Sequence, residues 1–153
     1  MSSIETICRS ASALSDVQIH ILKNSEDLLQ FASDLSHREL LVFVPGQKAG
    51  TVVLAAQRLP LLQPAETQAN RKKAGTVCAG YEEPVVLQVL QTGQMMQGSK
   101  EVDYGRIEPL FAYPFVDNGG ETIAVVAFVG TIESNRDMLT ETAFLALQVP
   151  IER

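Results

Sequence analysis

The sequence has no tryptophan and few other aromatic residues, with six phenylalanines and three tyrosines among 153 residues. Without large rings, the core must be packed mainly from Leu, Val, Ile and Ala, and apolar residues make up 46% of the chain. Charged residues account for only 20%, which indicates a globular rather than a disordered chain. The length is that of one ordinary domain, which buries enough surface to fold without disulfides or metals.

Long apolar runs are also missing. The longest, from Ile123 to Val129, has the length of a strand and falls far short of the roughly 18 apolar residues of a membrane-spanning helix. Residues 1–9 contain Glu5 and no apolar run, so they do not resemble a secretory signal. We therefore expect a cytoplasmic domain that has no membrane partner.

Cysteine and histidine are scarce: Cys8, Cys78, His20 and His37 are all there are. They show no CxxC or HxxxH spacing, so we expect reduced thiols and no disulfide framework. Zinc sites and cuboidal clusters need more thiolate or imidazole ligands than this pattern supplies. An iron–sulfur or metal site shared across a dimer, with Cys8 or Cys78 from both subunits, stays open as a hypothesis, and the cofactor is unknown.

Basic residues are outnumbered, 12 against 18 acidic ones, which gives a net charge of −6. Since an acidic surface repels phosphates, we expect no nucleic-acid partner. The one basic cluster, Arg71-Lys72-Lys73, predicts a solvated loop. The chain contains no glycine-rich phosphate loop, which argues against nucleotide chemistry of its own.

Hydrophobic periodicity and turn residues predict the order of the elements. Residues 1–13 are rich in serine and lack periodicity, which predicts a flexible tail before a single domain over 14–150. The predicted elements are a helical segment over 14–36, strands over 39–44 and 51–57, a loop over 59–73, a short strand over 75–79, a helix over 82–92, a short strand over 95–97, strands over 108–116 and 121–129, and a helix from 134 to Pro150.

Cap and turn residues define several boundaries. The first helical segment reads as one long helix or as two joined near Lys23, with Ser15 or Ser25 as an N-cap. Pro84 suits the first turn of the short helix, and Gly93 suits its end. Asn118-Gly119 between two extended runs predicts a hairpin.

Two further features concern the last strands and helix. Pro114 lacks a ladder donor, so a bulge or an unpaired side is expected there. The final helix carries an apolar stripe formed by Met138, Leu139, Thr142, Leu145 and Ala146. Since the predicted strands are joined by hairpins, the sheet is mainly antiparallel. The fold class is therefore α/β, with the terminal helices on one face and the loops and short helix covering the other.

This order resembles that of GAF and PAS domains. The details are similar to the GAF-like N-terminal sensory domain of the bacterial histidine kinases that pair with antiterminator-type response regulators. The matching stretches are Leu35-Ser36, Glu39 to Pro45, Ala56-Gln57-Arg58, Glu83 to Gly93, Ala112 to Phe115, Ile123 to Val126 and Leu139 to Ala143. The resemblance spans about residues 25–149. It implies a sensory input domain of a two-component system, without catalysis of its own, to which a downstream kinase module belongs.

A small-molecule ligand or a redox signal would be sensed beneath the predicted cover of the sheet. The predicted lining consists of Gln57, Arg58, Cys78, Tyr81, Met95, Met96, Tyr113 and Phe115. Arg58 suits an anionic group, and Tyr113 offers an apolar ring with one polar tip.

A homodimer is expected through the terminal helices, with contacts from Leu28, Phe31, Leu35, Leu139, Thr142 and Leu145. Two alternatives remain open. The first is a GAF-like or longin-like scaffold for protein assembly, in which side chains fill the pocket. The second is a cysteine-dependent reductase of GAF fold, which requires Cys78 to be exposed in a cleft.

Overall fold

The computed structural model describes residues 3–60, 73–103, 105–130 and 137–148. Its helices are α1 (Ser3–Ala11), α2 (Asp16–Lys23), α3 (Leu29–Ser36), α4 (Pro84–Thr92) and α5 (Asp137–Gln148). Its strands are β1 (Glu39–Pro45), β2 (Thr51–Arg58), β3 (Val77–Ala79), β4 (Met96–Asp103), β5 (Arg106–Val116) and β6 (Thr122–Val129). Short 3₁₀ turns at Glu26–Leu28 and Gly80–Glu82 precede α3 and α4.

The six strands form one antiparallel sheet in the order β3-β2-β1-β6-β5-β4. The central strands β1 and β6 are almost entirely buried because both of their faces are covered. This explains why their sequences are continuous apolar runs rather than alternating ones. The predicted antiparallel α/β architecture is confirmed.

Two separate cores lie on the two faces of the sheet. On one face, α1, α2, α3 and α5 pack against alternate strand residues such as Leu40, Val42 and Val126. On the other face, Val86 and Val89 of α4 pack against the intervening strand residues. The expected division, with terminal helices on one face and the short helix on the other, is confirmed.

Helix α1 corrects the prediction of a flexible tail over 1–13. Ile4 and Cys8 are one helical turn apart and both are buried against the helical face of the sheet. The backbone N–H of Ile4 also donates to Glu26 Oε1 at 3.1 Å. Together with Ile7 and Ala11 they follow the i, i+3, i+4, i+7 spacing of an apolar helix face, which the prediction of a tail overlooked.

The helical segment predicted over 14–36 forms two helices, α2 and α3, which was the second of the two predicted alternatives. Ser15 caps α2 by accepting from the Gln18 N–H at 3.2 Å, and the Gln18 side chain accepts from Ser15 N–H in return. Ser25 is not a side-chain cap. Its buried hydroxyl donates instead to the Leu147 carbonyl of α5 at 2.9 Å, which ties the α2–α3 junction to the last helix.

Strand β4 is longer than the predicted strand over 95–97, and it pairs with β5 from Met96 to Asp103. It forms an edge of the sheet, where polar residues are tolerated because half of the backbone faces outward. Two irregularities lie near Pro114, as the proline predicted. The register between β5 and β6 shifts between Phe115 and Val116, and the pairing of β5 with β4 extends only from Arg106 to Ala112. Most of the predicted loop over 59–73 lies outside the described residues.

The predicted apolar stripe of α5 is not its core face. Thr140, Ala143, Phe144 and Leu147 are buried, whereas Leu145 is half exposed. Thr140 can be buried because its hydroxyl has a partner in Arg38, a contact that sequence periodicity does not show.

Candidate ligand cavity

A cavity of about 290 Å³ lies between the N-terminal end of α4 and the sheet. Its floor is apolar and comes from Leu41, Phe43, Leu54 and Leu110. Pro84 and Val85 of α4 form the opposite side, and the polar lining consists of Glu39, Gln57, Glu82, Glu83, Ser99, Lys100 and Glu101. The volume is close to the lower end of the range for small-molecule sites, roughly 300–1,000 Å³.

Strand alternation and one glycine shape this cavity. Leu41 and Phe43 are two residues apart on β1, so both side chains point toward α4. Gly98 on β4 allows α4 to approach closely, since a Cβ atom there would lie 2.9 Å from Val85 Cγ2. The close contact of α4 with β4 therefore depends on the missing side chain at Gly98.

The polar side of the cavity contains two buried carboxylates. Glu39 and Glu83 are each only 5% exposed. The Gln57 side-chain amide donates to Glu39 Oε2 at 2.9 Å, and Lys100 Nζ donates to Glu83 Oε2 at 2.5 Å. The Lys100 ammonium also lies 5.8 Å from the centroid of the Phe43 ring. Such pairing is required, because an ionised carboxylate is costly to bury alone.

The charge of the described lining is strongly negative. Glu39, Glu82, Glu83 and Glu101 contribute four carboxylates, and Lys100 contributes one ammonium, for a formal charge of −3. In a partly dehydrated site this charge acts more strongly than on the open surface. The described part of the lining is therefore acidic by formal charge.

Among the eight residues predicted to line a pocket, Gln57 lines this cavity. Tyr113 and Phe115 lie on the opposite face of the sheet, where Tyr113 stacks on Phe144 with ring centroids 4.8 Å apart. The even-numbered neighbours on β5, Leu110 and Ala112, face α4 instead. The sequence prediction did not distinguish the two faces of β5, which are exchanged by a shift of one residue.

The remaining predicted residues also lie away from the cavity. Cys78 is buried in the core beneath α4, and Met96 packs against that core. Tyr81 and Met95 are exposed, and Arg58 donates to the neighbouring Gln57 carbonyl at 2.9 Å. These positions do not assemble into one site, so a ligand role for them stays a prediction.

Sequence reasoning missed Glu39, Glu83 and Lys100. Glu39 begins an otherwise apolar strand, and a charged residue in that position was the available signal. Glu83 directly precedes Pro84, and an acidic residue at the start of a helix is favourable for the helix dipole alone, so its position did not indicate a cavity. Lys100 gave no signal, because its contact with Phe43 joins strands that are distant in the sheet order.

The two cysteines lie in different cores, Cys8 on the helical face and Cys78 beneath α4. Both thiols are buried and neither is part of a disulfide, so Cys8 does not lie in the flexible tail predicted over residues 1–13. Among the residues that the structure describes, no group of three or more His, Cys, Asp or Glu is placed to hold a metal ion.

Burial raises the pKa of the Cys8 thiol from 9.0 to about 11, and a hydrogen bond with Ser12 opposes the shift. The unfolded chain thus loses this proton at lower pH than the folded one. We expect the stability contributed by the protonated thiol to be complete below pH 9.0 and to be lost as the pH rises toward about 11. Urea unfolding of wild type and Cys8→Ala across this range measures the difference.

A second consequence concerns reactivity at neutral pH. With Cys78→Ser as background, Cys8 is the remaining thiol, and we expect it to react about a hundredfold more slowly with iodoacetamide than in urea, since thiolate is the nucleophile. Equal rates in the folded and urea-unfolded states would contradict the burial of Cys8.

The class of protein follows from the sheet and its two covered faces: this is a GAF domain. The model of the family described as "Histidine kinase PdtaS, GAF domain" matches residues 4–145. The chain belongs to this family of histidine kinase GAF domains, which confirms the family resemblance seen in the sequence. No curated protein gives a significant match.

Solved structures agree on the fold. The chain is similar to the sensor region of a sensor histidine kinase, with 20% identity and a TM-score of 0.68, over 99% of this chain and 54% of that one. It thus spans about half the length of that sensor region. It is also similar to a GAF domain/HD domain protein from Geobacter sulfurreducens, with 16% identity and a TM-score of 0.52, over 92% and 95% of the two chains.

A third similar structure is the Agrobacterium tumefaciens repressor BlcR, with 15% identity and a TM-score of 0.57, over 86% of this chain and 66% of the repressor. At these identities the likenesses show the fold alone. No helix in the described ranges is long and apolar enough to cross a membrane.

Proposed function

We propose that this domain is the sensory input of a cytoplasmic two-component histidine kinase, that it binds a small molecule between α4 and the sheet, and that it has no catalysis of its own. The single observation that carries the proposal is the cavity of about 290 Å³ within a domain of the histidine kinase GAF family. A downstream kinase module would receive the signal.

Two adjacent residues connect the cavity with the last helix. Glu39 lines the cavity and accepts a hydrogen bond from Gln57. Its neighbour Arg38 donates through Nε to the Gly130 carbonyl at 2.9 Å and through Nη1 to the Thr140 hydroxyl of α5. A displacement of the start of β1 by a ligand would therefore act directly on α5.

Helix α5 is also held at its other end. The Gln148 side chain accepts from the Val116 N–H at 3.2 Å and donates to the Val116 carbonyl at 3.0 Å. A ligand can shift the position of α5 only if it binds more tightly to one arrangement than to another. The two arrangements of α5 would differ in the Arg38 hydrogen bonds, which are kept in one arrangement and broken in the other.

The same function includes a homodimer through the outer side of α3 and α5, which pack side by side. Phe31 on α3 is 55% exposed and Leu145 on α5 is 50% exposed. The half-buried Leu28 and Leu35 extend this apolar surface. A second copy would cover it and bring two output helices together.

The two alternative functions have less support. A scaffold with a filled pocket does not require the cavity beneath α4. A cysteine reductase requires Cys78 in an open cleft with a resolving thiol, but Cys78 is buried and Cys8 lies on the opposite face of the sheet. For these reasons we favour the sensory function.

Substitution of Pro84, an exposed residue of α4 that lines the cavity, tests ligand binding. We expect Pro84→Trp to fill the entrance and to remove any small molecule retained in native mass spectrometry of the full chain. Gln88→Trp is the matched control, since Gln88 is exposed on the same helix and is not among the residues that line the cavity. Retention of the molecule by Pro84→Trp, or no retained molecule after exposure of wild type to a cell extract, would count against the proposal.

A further inference from the structure

We propose that the outer edge of β3 is an interaction surface, to which an acidic, extended segment of a partner protein adds as a further strand of the sheet. This inference goes beyond the proposed ligand cavity, whose described lining includes no residue of β3. The structure provides three arguments: the direction of the backbone groups of β3, the apolar side chains at its edge, and the charge around it.

The first argument is the backbone of β3. Among the strands that the structure describes, β3 is the last at one edge of the sheet, and it pairs with β2 alone. Val77 lies opposite Val53, and the neighbouring hydrogen bond runs from the Leu54 N–H to the Thr76 carbonyl at 2.9 Å. In an antiparallel ladder this pattern turns the N–H and C=O of Val77 away from β2. Both groups therefore face outward, toward the position of an added strand.

A carboxylate already binds the same edge within the chain. The N–H of Ala79, two residues further along β3, donates to Glu82 Oε1 at 2.9 Å. This contact shows that an outward N–H of β3 is accessible to an acidic side chain. It also restricts an added strand to pairing at Val77, so side chains must supply part of the affinity.

The second argument is the apolar side chains beside this edge. Val77 is 56% exposed, and Tyr81, in the 3₁₀ turn that follows β3, is 85% exposed. Tyrosine is enriched at protein interfaces, because its ring is apolar and its hydroxyl can keep a polar partner. The opposite edge strand, β4, instead carries Gln97, Ser99 and Glu101 as exposed residues. The apolar side chains therefore favour β3 as the edge that binds a partner.

The third argument is charge. The chain as a whole has a net charge of −6, but the stretches that form this edge differ from it. Residues 40–58 and 73–81 contain two lysines and one arginine and no acidic residue. A local excess of positive charge attracts a negatively charged partner and increases its rate of association.

The two lysines lie at the two ends of the edge. Lys73 precedes β3, and its carbonyl accepts from the Thr76 N–H at 3.1 Å. Lys48 lies in the β1–β2 turn, which approaches the end of β3, since a Cβ atom on Gly80 would be 2.7 Å from the Gly50 carbonyl oxygen. Both lysines are exposed, and the described part of the chain gives neither of them an ion pair. Their charges are therefore available to a partner.

The test uses the full chain and three synthetic probes. The first is the blocked peptide acetyl-Glu-Val-Glu-Val-Glu-amide, the second has lysine in place of each glutamate, and the third is a thymidine hexanucleotide. Binding is followed by NMR titration of the backbone amides. We expect the acidic peptide to bind about tenfold more tightly than the lysine peptide, and to shift the amides of β3 but not those of β4.

Val77→Pro removes the outward N–H and leaves the hydrogen bonds between β3 and β2 in place, since those use the neighbouring residues. We expect it to weaken binding of the acidic peptide about tenfold. Val77→Ala is the matched control, because it shortens the side chain and keeps the N–H, and its loss should be smaller. If Val77→Pro fails to fold, Tyr81→Ser serves instead, since Tyr81 is too exposed to support the core, and binding should weaken about threefold.

A second pair of variants tests the charge. Lys48→Gln with Lys73→Gln removes two positive charges and is expected to weaken binding of the acidic peptide about fivefold. Gln94→Glu with Gln97→Glu changes the net charge by the same amount near β4, where both glutamines are exposed. This control should bind the peptide as wild type does.

Failure of the acidic peptide to bind to wild type, or equal binding of the two peptides, would overturn the proposal. Unchanged binding by both Val77→Pro and Tyr81→Ser would overturn it as well. Tighter binding of the hexanucleotide would do the same and would identify a nucleic-acid surface instead. These results leave the proposed sensory function untouched, because that function depends on the cavity and is tested separately with Pro84→Trp.

Discussion

Replacing Arg38 by methionine is expected to lower the free energy of unfolding by about 3 kcal/mol. Arg38 is buried, and its guanidinium lies 4.5 Å from the centroid of the Phe111 ring. It also holds the Gly130 carbonyl and the Thr140 hydroxyl. Methionine can fill the space but leaves the partly buried Gly130 carbonyl and the buried Thr140 hydroxyl without their charged donor. Urea unfolding followed by circular dichroism measures the loss.

The effect should be concentrated in α5. Amide hydrogen exchange is expected to rise in α5 of Arg38→Met well before it rises in β1 or β6, since local opening needs fewer contacts to break than global unfolding. In the ligand-bound wild type, exchange in α5 is expected to change. In Arg38→Met, ligand binding should persist while this change in α5 disappears, because the connection between Glu39 and Thr140 has been removed.

Arg9→Met is the control for the loss of an arginine as such. Arg9 lies on the surface of α1 and pairs with Glu5 and Asp16, and exposed ion pairs contribute little to stability because solvent screens them. We expect the free energy of unfolding of Arg9→Met to stay close to that of wild type. If the two variants lose equal stability, or if α5 exchanges normally in Arg38→Met, Arg38 does not connect the sheet with α5.

The elements predicted well are those that local chemistry determines. The strand that ends at Pro45-Gly46 and the hairpin around Asn118-Gly119 depend on turn residues that act over a few positions. Helix α4 begins with Pro84 and ends at Gly93, which has a φ of 70° that glycine adopts without strain. Because these signals are local, the sequence alone was enough to give the order of most elements along the chain, and the hairpins among them predicted an antiparallel sheet with helices on both faces.

The residues that line the cavity could not be predicted from the sequence, because the lining depends on long-range geometry. The face to which Tyr113 points follows from the register of β5 with β6, and no local pattern in β5 determines that register. The contact of Lys100 with Phe43 requires the curl of the whole sheet. Likewise, the core face of α5 includes Thr140 because Arg38 reaches it from a distant strand.

Charges placed on the outer side of α3 and α5 are expected to dissociate the proposed homodimer. In the double variant Phe31→Glu with Leu145→Glu, each dimer would bury four carboxylates without partners, and the dissociation constant should rise by about a hundredfold or more. Both side chains are at least half exposed in the single chain, so the fold itself should be retained. Sedimentation equilibrium over a range of concentrations measures the association, and circular dichroism checks the fold.

Val17→Glu is the matched control for this experiment. Val17 is an exposed apolar residue of α2, 70% exposed, and it does not belong to the α3–α5 surface. A general effect of added negative charge would weaken association in this variant as much as in the double variant. A specific interface predicts that Val17→Glu dimerises as wild type does. A wild-type chain that sediments as a monomer at all concentrations, or a double variant that remains dimeric, would exclude the α3–α5 surface as the dimer contact and would require the signal from α5 to leave the domain without a second copy.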